Sequence, residues 1–231
     1  MSNFLSLCQK VAAESGTISG INPASVTGQV GRLLKVVNWV ADSWVEIQNR
    51  HPSWQWMRQA MPATAITSIG TPRYTPASWN ITDHASWIKE PKTVTIYTQS
   101  IGVADESEIR FIEWTDYWRL FTRGVQTNDR PSFYSISPQN EFCLGPIPDK
   151  AYVVRGMYQQ TATVLAANGD IPACPVRFHD SIAWLAVLRL CQHDEATPAA
   201  LAAAESKYLE FMNGLEGDQL RPWQAYTSPL A

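Results

Sequence analysis

The sequence predicts an α+β fold: a discontinuous α-helical bundle made by the N- and C-terminal helices, with an antiparallel β domain inserted between them. Three observations carry this reading. Apolar residues recur near every 3.6 positions at both ends of the chain, the middle alternates with a period of 2, and each terminal helix has an apolar face that needs a partner. A chain of 231 residues with 45% hydrophobic and only 17% charged residues can fill a core, which excludes disordered, collagen-like and coiled-coil classes. The pattern assigns residues 1–58 and 175–217 to the helical bundle, 59–174 to the inserted β domain, and 218–231 to an extended C-terminal tail.

Residues 3–15 read as a short helix, with Phe4, Leu7, Cys8 and Val11 on one face and Gly16 to stop it. Gly16 to Gly31 holds four Gly together with Ser, Thr, Asn and Pro, a loop long enough to move. From about Val30 to Arg50, Leu33, Val37, Val40, Trp44 and Ile47 fall on one helical stripe. The opposite face offers Arg32, Lys35, Asp42, Glu46 and Asn49 to water or to a neighbouring subunit.

After Pro52 the period falls to 2. Thr93–Thr98 alternates, Glu108–Phe111 follows a turn at Gly102, and Phe142–Leu144 and Tyr152–Val154 flank Gly145–Asp149; these read as antiparallel hairpins. Glu113–Phe121 has helical spacing and is expected to lie across the sheet. From Pro175 the helical period returns, and Ile182 to Cys191 is apolar except for Arg189, so that helix should be buried nearly all round. Thr197 and Pro198 give an N-cap and first-turn proline to a last helix carrying Leu201, Ala204, Tyr208, Phe211 and Leu215, with Asn213 and Gly214 marking its end.

The balance of 18 Lys+Arg against 21 Asp+Glu gives a net charge of -3, so no global positive field holds a phosphate backbone. Cys8, Cys143, Cys174 and Cys191 are far apart with no C-x-x-C pair, as expected of a chain folding in a reduced compartment. Neither an export signal nor a membrane-spanning run is expected.

Chemical motifs are tested one by one. Gly28-Gln29-Val30-Gly31-Arg32 has neither the spacing nor the Lys of a phosphate-binding loop, so no cofactor is expected. His51, His84, His179 and His193 make no H-E-x-x-H or i,i+4 chelate, so no metal is expected; His193-Asp194-Glu195 reads as a solvated helix end. Ser181 follows His179 and Asp180 too closely for a triad, because helical neighbours one and two positions apart point away from one another. The carboxylates Asp105, Glu106, Glu108, Glu113 and Asp116 read as an exposed turn and strand edge, so no catalytic residue is expected and the chain reads as a non-enzyme.

Ten Trp is far above the roughly 1–1.5% of an ordinary chain. Trp39, Trp44 and Trp184 lie on or beside helical stripes and read as core. Trp54, Trp56, Trp79 and Trp87 fall in loops or strand starts, where they pack the seam between helices and sheet or stack on a sugar or partner. Trp223, Tyr226 and Leu230 tip a tail with no periodicity to bury them.

The chain resembles the head-to-tail adaptor (connector) proteins of tailed bacteriophages. The residues that carry the resemblance are Val37-Asn38-Trp39-Val40 with Trp44-Val45-Glu46-Ile47-Gln48, then Trp54-Gln55-Trp56-Met57, Leu144-Gly145-Pro146-Ile147-Pro148-Asp149 leading into Tyr152-Val153-Val154, and Phe178-His179 before the buried helix. The resemblance implies a structural virion protein at the head–tail interface, made in the host cytoplasm. It would form a homo-oligomeric ring, commonly a dodecamer, between the portal protein and tail or nozzle proteins. The genome DNA would pass through a central channel without specific binding, which a mixed or net-negative lining favours. The family's C-terminal segments often dock on the portal, and the tail carrying Trp223, Tyr226 and Leu230 takes that position here. The alternative is a glycan- or receptor-binding virion module that uses Trp54, Trp56, Trp79 and Trp87.

Overall fold

A computed structural model describes residues 2–15 and 22–220. In chain order the elements begin with helices α1 (Phe4–Glu14) and α2 (Gly31–Arg50). Strands β1 (Arg58–Ala60), β2 (Arg73–Tyr74), β3 (His84–Trp87), β4 (Thr95–Thr98), β5 (Ser107–Glu108) and β6 (Arg110–Phe111) follow, then helix α3 (Trp114–Phe121). Strands β7 (Asn128–Asp129), β8 (Phe133–Ile136), β9 (Phe142–Gly145), β10 (Ile147–Pro148), β11 (Tyr152–Arg155) and β12 (Met157–Gln160) lead to α4 (Asp180–His193) and α5 (Pro198–Gln219). The fold is mixed α+β, with helices at both ends of the chain and an antiparallel-dominated strand region in the middle.

The chain divides into two compact units, Met1–Trp56 with Ala162–Ala231, and Met57–Thr161. In the helical unit α4 packs against α1, α2 and α5, which explains an apolar sequence that leaves Ile182, Ala183, Leu185, Ala186, Val187 and Leu190 buried. Helix α1 starts with a capping box: the Asn3 side chain accepts from Ser6 N at 2.8 Å, and Ser6 Oγ accepts from Asn3 N at 2.9 Å. Two further free N–H groups of its first turn donate to carbonyls at Asp170 (2.8 Å) and Asn168 (3.3 Å).

Residues 162–174, read from sequence with the strands, therefore belong with the helices. Buried Gln48 secures the same segment, donating to Thr163 O at 2.8 Å and accepting from Thr163 N at 2.9 Å. Both ends of a buried amide are satisfied this way, which removes the desolvation cost of burying it.

On α2, Val37, Val40, Trp44 and Ile47 are buried as the stripe predicts, and Leu33 is half-buried. Much of its polar face is used within the unit rather than offered to a neighbour: Arg32 pairs with Asp194, Lys35 Nζ lies 2.9 Å from His193 Nε2, and Glu46 pairs with Arg189. Helix α5 does not stop at Asn213 and Gly214 but runs on to Gln219. Gly214 answers a packing need instead, since a Cβ there would lie 3.0 Å from the Phe178 ring. The extra turn is held by buried Leu215 and by Glu216, which accepts from Arg50 at 3.1 Å and faces His51 at 3.0 Å.

The strand unit contains four small sheets, ordered β1-β12-β3, β10-β7, β11-β4-β5 and β2-β9-β8-β6. The β4–β5 hairpin matches the sequence reading only at Glu108, since Arg110–Phe111 leaves for another sheet beside β8, and β9 and β11 do not pair with each other. Strand β9 joins β2 and β8, whereas β11 joins β4, so the Gly145–Asp149 connection carries the chain between sheets. Two pairings, β6–β8 and β7–β10, are parallel, which two-residue strands allow because pattern alone fixes neither partner nor direction. The core is aromatic: Trp79 stacks on Tyr74 at 4.9 Å and meets Trp87 and Phe142 at 5.9 and 5.4 Å.

Candidate functional site

Several side chains of reactive type, among them His179 and Ser181, are tied into the backbone. Among the described residues no cluster of three His, Cys, Asp or Glu is arranged to hold a metal ion. All four cysteines are free thiols, and burial pushes those of Cys8, Cys143 and Cys174 up to about 12, far from the thiolate that nucleophilic chemistry needs. Both ring nitrogens of buried His179 face carbonyl oxygens, Ser2 O and Cys174 O, each at 3.1 Å. Ser181 Oγ donates to Phe178 O at 2.7 Å. No helix among the described residues is long and apolar enough to cross a membrane.

The acidic stretch from Asp105 to Asp116 disperses into separate contacts rather than a facing pair. Asp105 accepts from Thr98 N and Oγ1 at 3.1 and 2.6 Å and from Arg130 Nη1 at 2.7 Å. These bonds hold its carboxyl down at about 2. Glu106 accepts from Thr95 Oγ1 at 2.5 Å and from Arg155 at 3.3 Å, and Asp116 pairs with Arg119 at 3.0 Å.

Burial overturns the glycan platform. Trp54, Trp79 and Trp87 are buried and Trp56 is half-buried, stacked on Trp54 at 4.3 Å. The indole N–H groups of the three buried rings are used inside: Trp54 donates to Ile47 O at 2.9 Å, Trp79 to Ile66 O at 3.2 Å and Trp87 to Asn140 O at 2.9 Å. Rings enclosed like those of Trp54, Trp79 and Trp87 offer no face to a sugar. Of the Trp read as core, Trp44 is fully buried, while Trp39 and Trp184 are half-buried.

The exposed aromatic surface lies on α3, at residues not singled out from sequence. Tyr117 faces inward and donates to Leu144 O at 3.0 Å, and Phe121 closes over Gly145. The outer side leaves Trp118 45% and Leu120 53% exposed, and Val125 in the following loop is 98% exposed. Arg73 lies 5.4 Å over the Trp114 ring and 5.9 Å over that of Trp118, fixing both. The spacing held the signal: an eight-residue helix with Trp114, Tyr117, Trp118 and Phe121 carries more aromatic surface than one buried face absorbs. Trp223, Tyr226 and Leu230 lie outside the described residues.

The model of the SU10 adaptor protein family matches residues 2–231. The chain belongs to the SU10 adaptor protein family. No curated protein matches it. The match covers the helical unit and the strand unit alike, and agrees with the resemblance to phage head-to-tail adaptors carried by the α2 and Leu144–Asp149 residues. As an SU10-family adaptor the protein is a structural component of a phage virion, and its partners are other head and tail components.

Proposed function

We propose that this SU10-family adaptor assembles as a homo-oligomeric ring between the portal protein and the tail, with a central channel through which the genome passes. The observation that carries the reading is the family match along residues 2–231. Two physical features support it. Large apolar side chains left in water at Trp118, Leu120 and Val125 are typical of surfaces that become covered on assembly. The net charge of -3 suits a channel through which phosphates slide rather than bind.

The portal contact is assigned to the tail, through Trp223, Tyr226 and Leu230, because a short segment rich in aromatic residues supplies hot-spot anchors. Deleting residues 221–231 leaves α5 whole, since that helix ends at Gln219 and Leu220 N closes it on Glu216 O at 2.9 Å. The truncated chain is expected to keep its circular dichroism spectrum and lose binding to purified portal. Unchanged portal affinity would exclude the tail as the docking element.

A further inference from the structure

The strand unit, residues 57–161, contains ten Lys and Arg and ten Asp and Glu, so its net charge is zero. Six of the ten cations have a carboxylate within 4.0 Å: Arg58, Arg73, Arg119, Arg130, Lys150 and Arg155. The other four are Lys89, Lys92, Arg110 and Arg123, none with such a partner among the described residues. Three of these four, Lys89, Lys92 and Arg110, line one cavity of about 250 Å³. Three of the unit's four unpaired cations are therefore gathered at one place, beside two carboxylates, Glu90 and Glu108.

The cavity is also built. Phe111, Ile109 and Tyr134 give it an apolar side, with Lys89 Nζ 5.4 Å over the Phe111 ring. The buried Tyr134 hydroxyl has no hydrogen-bond partner among the described residues. The loop bearing two of the cations is fixed by Thr93, whose N and Oγ1 donate to Glu90 O at 3.4 and 2.6 Å, with Lys92 between them at φ 61°. Glu90 itself is held by Arg58 at 2.9 Å. Glu108, which also lines the cavity, has no cation within 4.0 Å among the described residues.

We propose that this cavity receives an extended acidic segment of a partner protein, its carboxylates on Lys89, Lys92 and Arg110 and an apolar side chain against Phe111 and Ile109. At about 250 Å³ the space is below the roughly 300–1,000 Å³ of small-molecule sites and suits one or two side chains. Glu108 separates a peptide from a nucleic acid. A peptide brings N–H donors to meet that carboxylate, whereas a phosphodiester backbone brings acceptors alone and is repelled. The cavity is walled by β5 and β6, each the edge strand of its sheet, which is the setting in which extended chains add on.

Fluorescence anisotropy on the purified full chain tests this with three labelled probes: an eight-residue peptide alternating Glu and Val, the same peptide with Gln for Glu, and a short DNA duplex. The acidic peptide is expected to bind saturably and about tenfold more tightly than the Gln peptide. Combined Lys89→Ala, Lys92→Ala and Arg110→Ala substitution should weaken it by about tenfold or more, while Arg123→Ala leaves it unchanged. All three side chains are exposed, so their truncation does not disturb the core. Equal affinity for the two peptides, or binding indifferent to the triple substitution, overturns the proposal. Duplex binding that depends on the same three residues would overturn it in favour of a phosphate site. None of these outcomes bears on whether the chain forms a ring.

Discussion

Asp105 shows how single residues hold the strand unit. Its carboxylate ties the β4 end at Thr98 to Arg130, whose other guanidinium nitrogen donates to Asp105 O at 2.6 Å and Ser107 Oγ at 2.9 Å. Its pKa is lowered from 3.8 to about 2, so its stabilisation is fully present above the unfolded value and fades as pH falls toward the folded one. Asp105→Asn should therefore lower the thermal midpoint at pH 7, and the difference from the parent protein should close as pH approaches about 2. A difference that persists unchanged in acid would mean the carboxylate charge is not what these bonds use. From sequence Asp105 reads only as part of an exposed turn. Its partner Arg130 is 25 residues away, and no local pattern joins the two. Trp79 and Trp87 are a related case: loop-like surroundings in sequence conceal rings that form the centre of the core.

Among elements, the helices were the most legible. A stripe such as Val37, Val40, Trp44 and Ile47 repeats over several turns, so its period declares both the helix and the buried face. The strands are two to four residues long, too short for period 2 to specify partners, which is why β9 and β11 read as a hairpin yet belong to different sheets. Helix α3 is docked on β9 by Tyr117 and by the closeness of Phe121 to Gly145. A Cβ at position 145 would lie 2.5 Å from the Phe121 ring, so Gly145→Ala must displace α3 or the buried strand. We expect a loss on the order of 1–3 kcal/mol in urea unfolding, the usual cost of overpacking. In a Phe121→Ala background the same substitution should cost much less; an unchanged cost would place the strain elsewhere. Gly145 was visible in sequence only as turn punctuation, because the ring that requires it comes from an element 24 positions earlier.

Across the whole molecule, the α+β class and the family were legible from the two terminal helical stripes and the Leu144–Asp149 connection. The surfaces proposed for binding were not. The cations Lys89, Lys92 and Arg110, none ion-paired among the described residues, become a cluster only when the turn before β4 and the strands β5 and β6 come together, and Trp118 and Leu120 become a surface only when Tyr117 and Phe121 take the inner side of α3. Both are properties of tertiary placement. The central claim, assembly as a ring on the portal, is tested most directly by light scattering coupled to size-exclusion chromatography, with and without purified portal. The account predicts a discrete multimer of the chain, either alone or formed on addition of portal, eluting with it as one species. A monomer or small oligomer of unchanged mass that elutes separately from portal would contradict it.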